Sequence, residues 1–134
     1  MRTFQQTIDQ LLDYDKLKPG WGGSLSLPPR AGMVQLVACF VNGIPQDLPP
    51  PKPMISSSGV IGLYWDEPRS YIDIEFRSQE DISVFVVYDK QDKTKDRWFP
   101  HMTVPEFTHQ FFLDHFQQLK EEAPCATAEA VTPT

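Results

Sequence analysis

The chain is short of the features that carry most recognisable chemistry. It has two cysteines and three histidines in 134 residues, and 12 Lys plus Arg against 18 Asp plus Glu. Cys39 sits in the apolar run Val37-Ala38-Cys39-Phe40-Val41, and Cys125 sits in a polar stretch. Two such different settings exclude a secreted disulfide framework, and Cys39 is expected to act as a small hydrophobe. The formal charge of −6 excludes a dense basic surface that binds nucleic acid directly. The longest nearly unbroken apolar stretch, Met33 to Val41, is about half of what a bilayer span needs. No apolar segment follows Arg2 at the N-terminus, as a secretory leader would require. These shortages predict a soluble, cytoplasmic protein with no membrane partner.

Catalytic and cofactor patterns are also missing. The chain has no Gly-x-Ser-x-Gly, no Cys-x-x-Cys and no His-Glu-x-x-His. Gly20-Trp21-Gly22-Gly23 has neither the preceding strand nor the downstream lysine of a phosphate loop. His109 and His115 are six apart on one expected helix and do not share a face, so they are no metal pair. Asp73 and Glu75 lie on one strand face, about 7 Å apart by strand geometry. Such a pair can work as acid and base or hold a hard cation, but it equally describes a half-exposed strand. No catalytic, cofactor or metal residue is therefore expected, and the chain is read as not an enzyme.

What is present is pattern. Apolar residues make up 40% of the chain, enough for one cored domain over residues 1–122. Residues 123–134 carry too little apolar bulk to order and are expected to form a tail. Phe4, Ile8, Leu11 and Leu12 mark a helix from Thr3 to about Leu17, with capping-box spacing between Thr3 and Gln6. Trp21, in its glycine loop, is expected to fold back over the core. A second, apolar helix follows Pro28-Pro29 and runs to about Asn42. Residues 45–53 hold five prolines and predict a stiff connector.

From Met54 the period becomes two. Ile61, Leu63 and Trp65 alternate with Val60 and Tyr64, and Ile72, Ile74 and Phe76 alternate with Tyr71, Asp73 and Glu75. Ile82 to Tyr88 is nearly continuous in β-branched and aromatic residues, which predicts a strand covered on both faces. Arg97-Trp98-Phe99 is a candidate fifth strand. Thr103, Pro105 and Glu106 predict the start of one last helix, whose Phe107, Phe111, Phe112, His115, Phe116 and Leu119 share about half its circumference. The expected fold is α+β, an antiparallel four- to five-stranded meander in the order α-α-β-β-β-β-(β)-α, with helices chiefly on one face.

Several segments together are similar to a widespread group of small uncharacterised bacterial proteins. They are Gly20-Trp21-Gly22-Gly23, Leu48-Pro49-Pro50-Pro51, the strand ending Leu63-Tyr64-Trp65, and Ile72-Asp73-Ile74-Glu75-Phe76. That group has a Gly-Trp-Asp-Gly loop, a proline connector and a Leu-Glu-Trp strand; here Gly22 stands for the Asp and Tyr64 for the Glu. The resemblance implies a bacterial, phage or mobile-element setting and supplies no activity.

The functional expectation comes from the second strand face. Tyr64, Tyr71, Asp73, Glu75 and Phe85 combine rings with carboxylates, which suits a protein interface. Either a partner or a second copy covers this face, or one helix packs on each side of the sheet. The partner expected is a protein, basic or nucleic-acid-binding in character, drawn by the acidic surface; a homodimer is the other possibility. The competing expectation is a small-molecule or enzymatic pocket where Trp21 and His115 meet the sheet. His115 is either a general base there or a half-buried histidine bonded to strand backbone or a tyrosine hydroxyl.

Overall fold

The structure, a computed structural model, describes residues 2–120; the expected tail lies outside the described residues. Helix α1 spans Phe4–Tyr14, and Thr3 caps it as its spacing predicts. The Thr3 side chain accepts from the Gln6 amide at 3.0 Å, and the Gln6 side chain accepts from the Thr3 amide at 2.8 Å. The buried side of α1 is turned from the expected stripe. Leu12 is exposed and Thr7 is buried, donating its hydroxyl to the Pro51 carbonyl at 2.6 Å. That bond ties α1 to the proline connector and satisfies a polar group that burial would otherwise penalise.

Trp21 does not cover the core. Its indole N–H donates to the Leu27 carbonyl at 2.6 Å and closes its own loop. The loop is pinned to the sheet by the Leu27 amide, which donates to the Ser57 carbonyl at 2.8 Å. Helix α2 spans Met33–Asn42 and buries Met33, Val34, Val37, Phe40 and Val41. Cys39, expected to pack as a hydrophobe, is exposed on its outer side.

Five strands follow: β1 Lys52–Ile55, β2 Ile61–Asp66, β3 Tyr71–Ser78, β4 Asp81–Val87 and β5 Arg97–Met102. They form one antiparallel meander in sequence order. Short turns leave successive strands no alternative to pairing with their neighbours. Gly59, in the β1–β2 turn, has φ 86°, and a Cβ there would lie 2.4 Å from the Pro28 carbonyl oxygen. The edge strands β1 and β5 carry Pro53 and Pro100, which have no amide to offer.

The expected single last helix is broken. Val104–Glu106 form a 3-10 turn, Phe107 leaves the helical region, and α3 spans His109–His115. Residues 117–120 are helical again. Two caps explain the break. Thr103 and Glu106 cap the 3-10 turn, and the Thr108 hydroxyl accepts from the Phe111 amide at 3.1 Å to begin α3.

The core lies between the helices and one sheet face. Ile61, Leu63, Trp65, Ile72, Ile74, Phe76, Ile82, Val84 and Val86 are all buried on that face. The helices meet it through rings. Phe40 of α2 lies edge-on to Phe76 at 5.2 Å, and Phe116 lies edge-on to Trp65 at 5.3 Å. Phe111 of α3 meets Phe99 at 5.3 Å. Among the described residues no helix is long and apolar enough to cross a membrane.

Candidate functional site

The outward residues of the strands lie on the face turned away from the core, and at its β1 side Tyr14 of α1 comes within electrostatic reach of Tyr64. Strand β4 is fully covered on its core side, and on the other side Ser83 is buried while Phe85 and Val87 are half-buried. Antiparallel register then decides which outward residues become neighbours. Lys52 pairs with Tyr64, Tyr64 with Asp73, Asp73 with Phe85, and Phe85 with Trp98. These residues form one row across all five strands. A second row runs Asp66, Tyr71, Val87, and a third runs Met54, Gly62, Glu75, Ser83. The expected residues Tyr64, Tyr71, Asp73, Glu75 and Phe85 thus share the face turned away from the core.

Trp98 is an addition to that set. It is 56% exposed, and its ring lies 6.4 Å from that of Phe85. The alternation Arg97-Trp98-Phe99 carries the signal, because Phe99 faces the core and Trp98 must face away.

The electrostatics of the face centre on Asp73. Tyr71 hydrogen-bonds its carboxylate, and partial burial pushes the carboxyl above its ordinary value, with Glu75 adding to the rise. Burial also raises the Tyr71 hydroxyl, and the Asp73 charge raises it further. No Lys or Arg among the described residues pairs with Asp73. The neighbouring charges have other partners: Lys90 pairs with Asp66 at 2.8 Å, and Arg77 lies 3.7 Å from Glu75.

Arg77 is held at the margin of the face where the β3–β4 register shifts. It grips both oxygens of Asp81 at 3.0 and 2.8 Å, and donates to Ser83 at 2.9 Å and to the Pro100 carbonyl at 2.9 Å. His101 reaches the same Asp81 at 3.1 Å. The Arg77 bond, then the His101 bond, hold the Asp81 carboxyl well below the usual carboxylate range. Beside this group, a cleft of about 340 Å³ opens between Met54, Gly62, Glu75 and Arg77.

Trp21 and His115 are not brought together. The Trp21 loop is fastened at the β1–β2 turn, whereas His115 hydrogen-bonds Tyr88 just after β4. These are diagonally opposite corners of the sheet. His115 lies between Phe99 and Phe111, with ring centroids 4.9 and 4.6 Å away. Burial lowers its pKa, against the opposing pull of Asp114. This is the tyrosine-bonded, half-buried histidine of the two readings its position allowed. Among the described residues no set of three His, Cys, Asp or Glu is arranged to hold a metal ion.

Compared with models of known families, with curated proteins and with solved structures, the chain matches none.

Proposed function

We propose that this protein is a non-enzymatic binding protein that seats a basic protein partner on the outward face of its sheet. The observation that carries the reading is the cross-strand row Tyr64, Asp73, Phe85 and Trp98, which lies on the sheet face turned away from the core. A face built only to meet water would be more uniformly polar; this one gives much ring area at low entropy cost, with carboxylates set among the rings. The chain's net charge of −6 would draw a cationic partner and speed its encounter. Antitoxins, immunity proteins and inhibitors of defence systems work in this way, and a bacterial, phage or mobile-element setting and a cytoplasmic location go with the reading. One version has the acidic surface imitate a phosphate backbone for a nucleic-acid-binding partner.

The test begins with the tagged protein used to capture a partner from extracts of its host, followed by purification of that partner. Calorimetry then compares wild type with the double variant Tyr64→Ala, Tyr71→Ala. The expected result is a loss of affinity of about tenfold or more. Equal affinity overturns the proposal. So does light scattering that shows a stable homodimer made monomeric by the double variant, because the face would then belong to a second copy.

A further inference from the structure

We propose that Asp73 anchors a subsite for an arginine side chain, with the guanidinium lying on its carboxylate between the rings of Tyr64 and Phe85. The inference rests on the outward-face reading and names the chemistry that the face accepts. Its basis is the register. Asp73 is the middle member of its row, directly opposite Tyr64 on β2 and Phe85 on β4, and Tyr71 stands two residues away on the same side of β3. Directly opposed residues have Cβ atoms about 5 Å apart, so a group resting on Asp73 touches rings on both flanks.

The charges nearby are mostly committed. Asp66 has Lys90, and Asp81 takes up Arg77 with His101 beside it. Asp73 has the Tyr71 hydroxyl and no cation among the described residues. A carboxylate set among aromatic rings loses water without gaining an opposite charge, and an incoming cation supplies that charge. Rings on either side favour a flat, weakly hydrated cation over a compact ammonium. Guanidinium stacks on aromatic faces and bonds a carboxylate through two parallel N–H groups, whereas the lysine head does neither. A carboxylate oxygen accepts more than one hydrogen bond, so the Tyr71 bond does not exclude a forked guanidinium.

The test titrates isotope-labelled protein with three short glycine-flanked peptides that differ at one residue: arginine, lysine, or citrulline as the uncharged isostere. Amide shifts along the Tyr64, Asp73, Phe85 and Trp98 row are followed by NMR. The arginine peptide is expected to saturate these shifts at a concentration about tenfold below the citrulline peptide, with lysine between them. In Asp73→Asn, whose spectrum reports that it remains folded, the arginine and citrulline peptides should become equal. Glu75→Gln should retain the preference. Equal binding of arginine and citrulline by wild type overturns the subsite, as does an arginine preference that survives Asp73→Asn. The two proposals fail separately. If the double tyrosine variant loses its partner and no arginine preference exists, the face stands and the subsite falls. If the preference exists and that variant keeps its partner, the subsite stands and the face is not the partner's seat.

Discussion

The two faces of the sheet come from the same strands, residue by residue, yet they obey different rules. Toward the helices, Ile61, Leu63, Trp65, Ile72, Ile74, Phe76, Val84 and Val86 are buried, with Phe76 against Phe40 of α2 and Trp65 against Phe116 just after α3. Away from them, Tyr64, Tyr71, Asp73 and Phe85 are half-buried and Trp98 is exposed, with Phe85 against Trp98 and Tyr71 bonded to Asp73. Shape complementarity governs the first face, where a lost methylene leaves a cavity. On the second, truncation gives way to solvent, and its residues are free to be chosen for something other than stability.

The comparison is broken most severely at Trp65. Its ring is buried against Phe116, and its N–H donates to the Pro49 carbonyl at 2.6 Å. Trp65→Ala is expected to cost about 3–5 kcal/mol in urea unfolding. A small loss would mean that the helix side is less tightly packed than its burial implies. Gly59→Ala comes next, with an expected cost of about 1–3 kcal/mol from the positive φ and the meeting with Pro28. Its thermal midpoint should fall while the far-ultraviolet spectrum keeps its shape. Phe85→Ala, one strand position from the buried Val84, is expected to cost under about 1 kcal/mol by the same urea assay. A cost equal to that of Trp65→Ala would show that both faces are core.

The smallest effect is a pH dependence. The folded Asp73 carboxyl has a raised pKa, led by burial. The native state therefore holds this proton more tightly than the unfolded chain does. The stability it contributes is fully present below the unfolded value of about 4 and is lost as the pH rises through the folded value. Asp73→Asn removes that loss, so its stability relative to wild type should increase from about pH 4 to pH 7. Asp81, lowered chiefly by Arg77, runs the opposite way: its contribution is present above the ordinary Asp range and is lost as the pH falls through its depressed value. Denaturant midpoints of the single variants across this range separate the two. A flat difference for Asp73→Asn would mean that its carboxyl is freely hydrated.

Period-two alternation made the sheet legible, because a strand can offer its apolar residues to a core only on every second position. It also placed the candidate residues together, since register follows from short turns. What it could not say was whether anything would cover them. The β-branched run Ile82 to Tyr88 reads as doubly buried; Ile82, Ser83, Val84 and Val86 are buried, whereas Phe85, Val87 and Tyr88 are half-buried. Trp98 lies in the short pattern Arg97-Trp98-Phe99, where three residues leave the outward direction to be fixed by the partial burial of Phe99. The last helix misled for a local reason: Thr103 and Thr108 are both good caps five residues apart, and the chain uses each in turn. Leu12 lies exposed beside the buried Leu11, and Thr7 takes a buried place on the same helix. Thr7 is polar but finds an acceptor in Pro51.

The prolines at the two outermost strands have a consequence for how large a complex this molecule can build. A ribbon that lacks donors at Pro53 on one margin and Pro100 on the other is a poor template for a further strand. Copies cannot readily string side by side into fibres. A partner seated as proposed would meet the pleats from above rather than lengthen an edge.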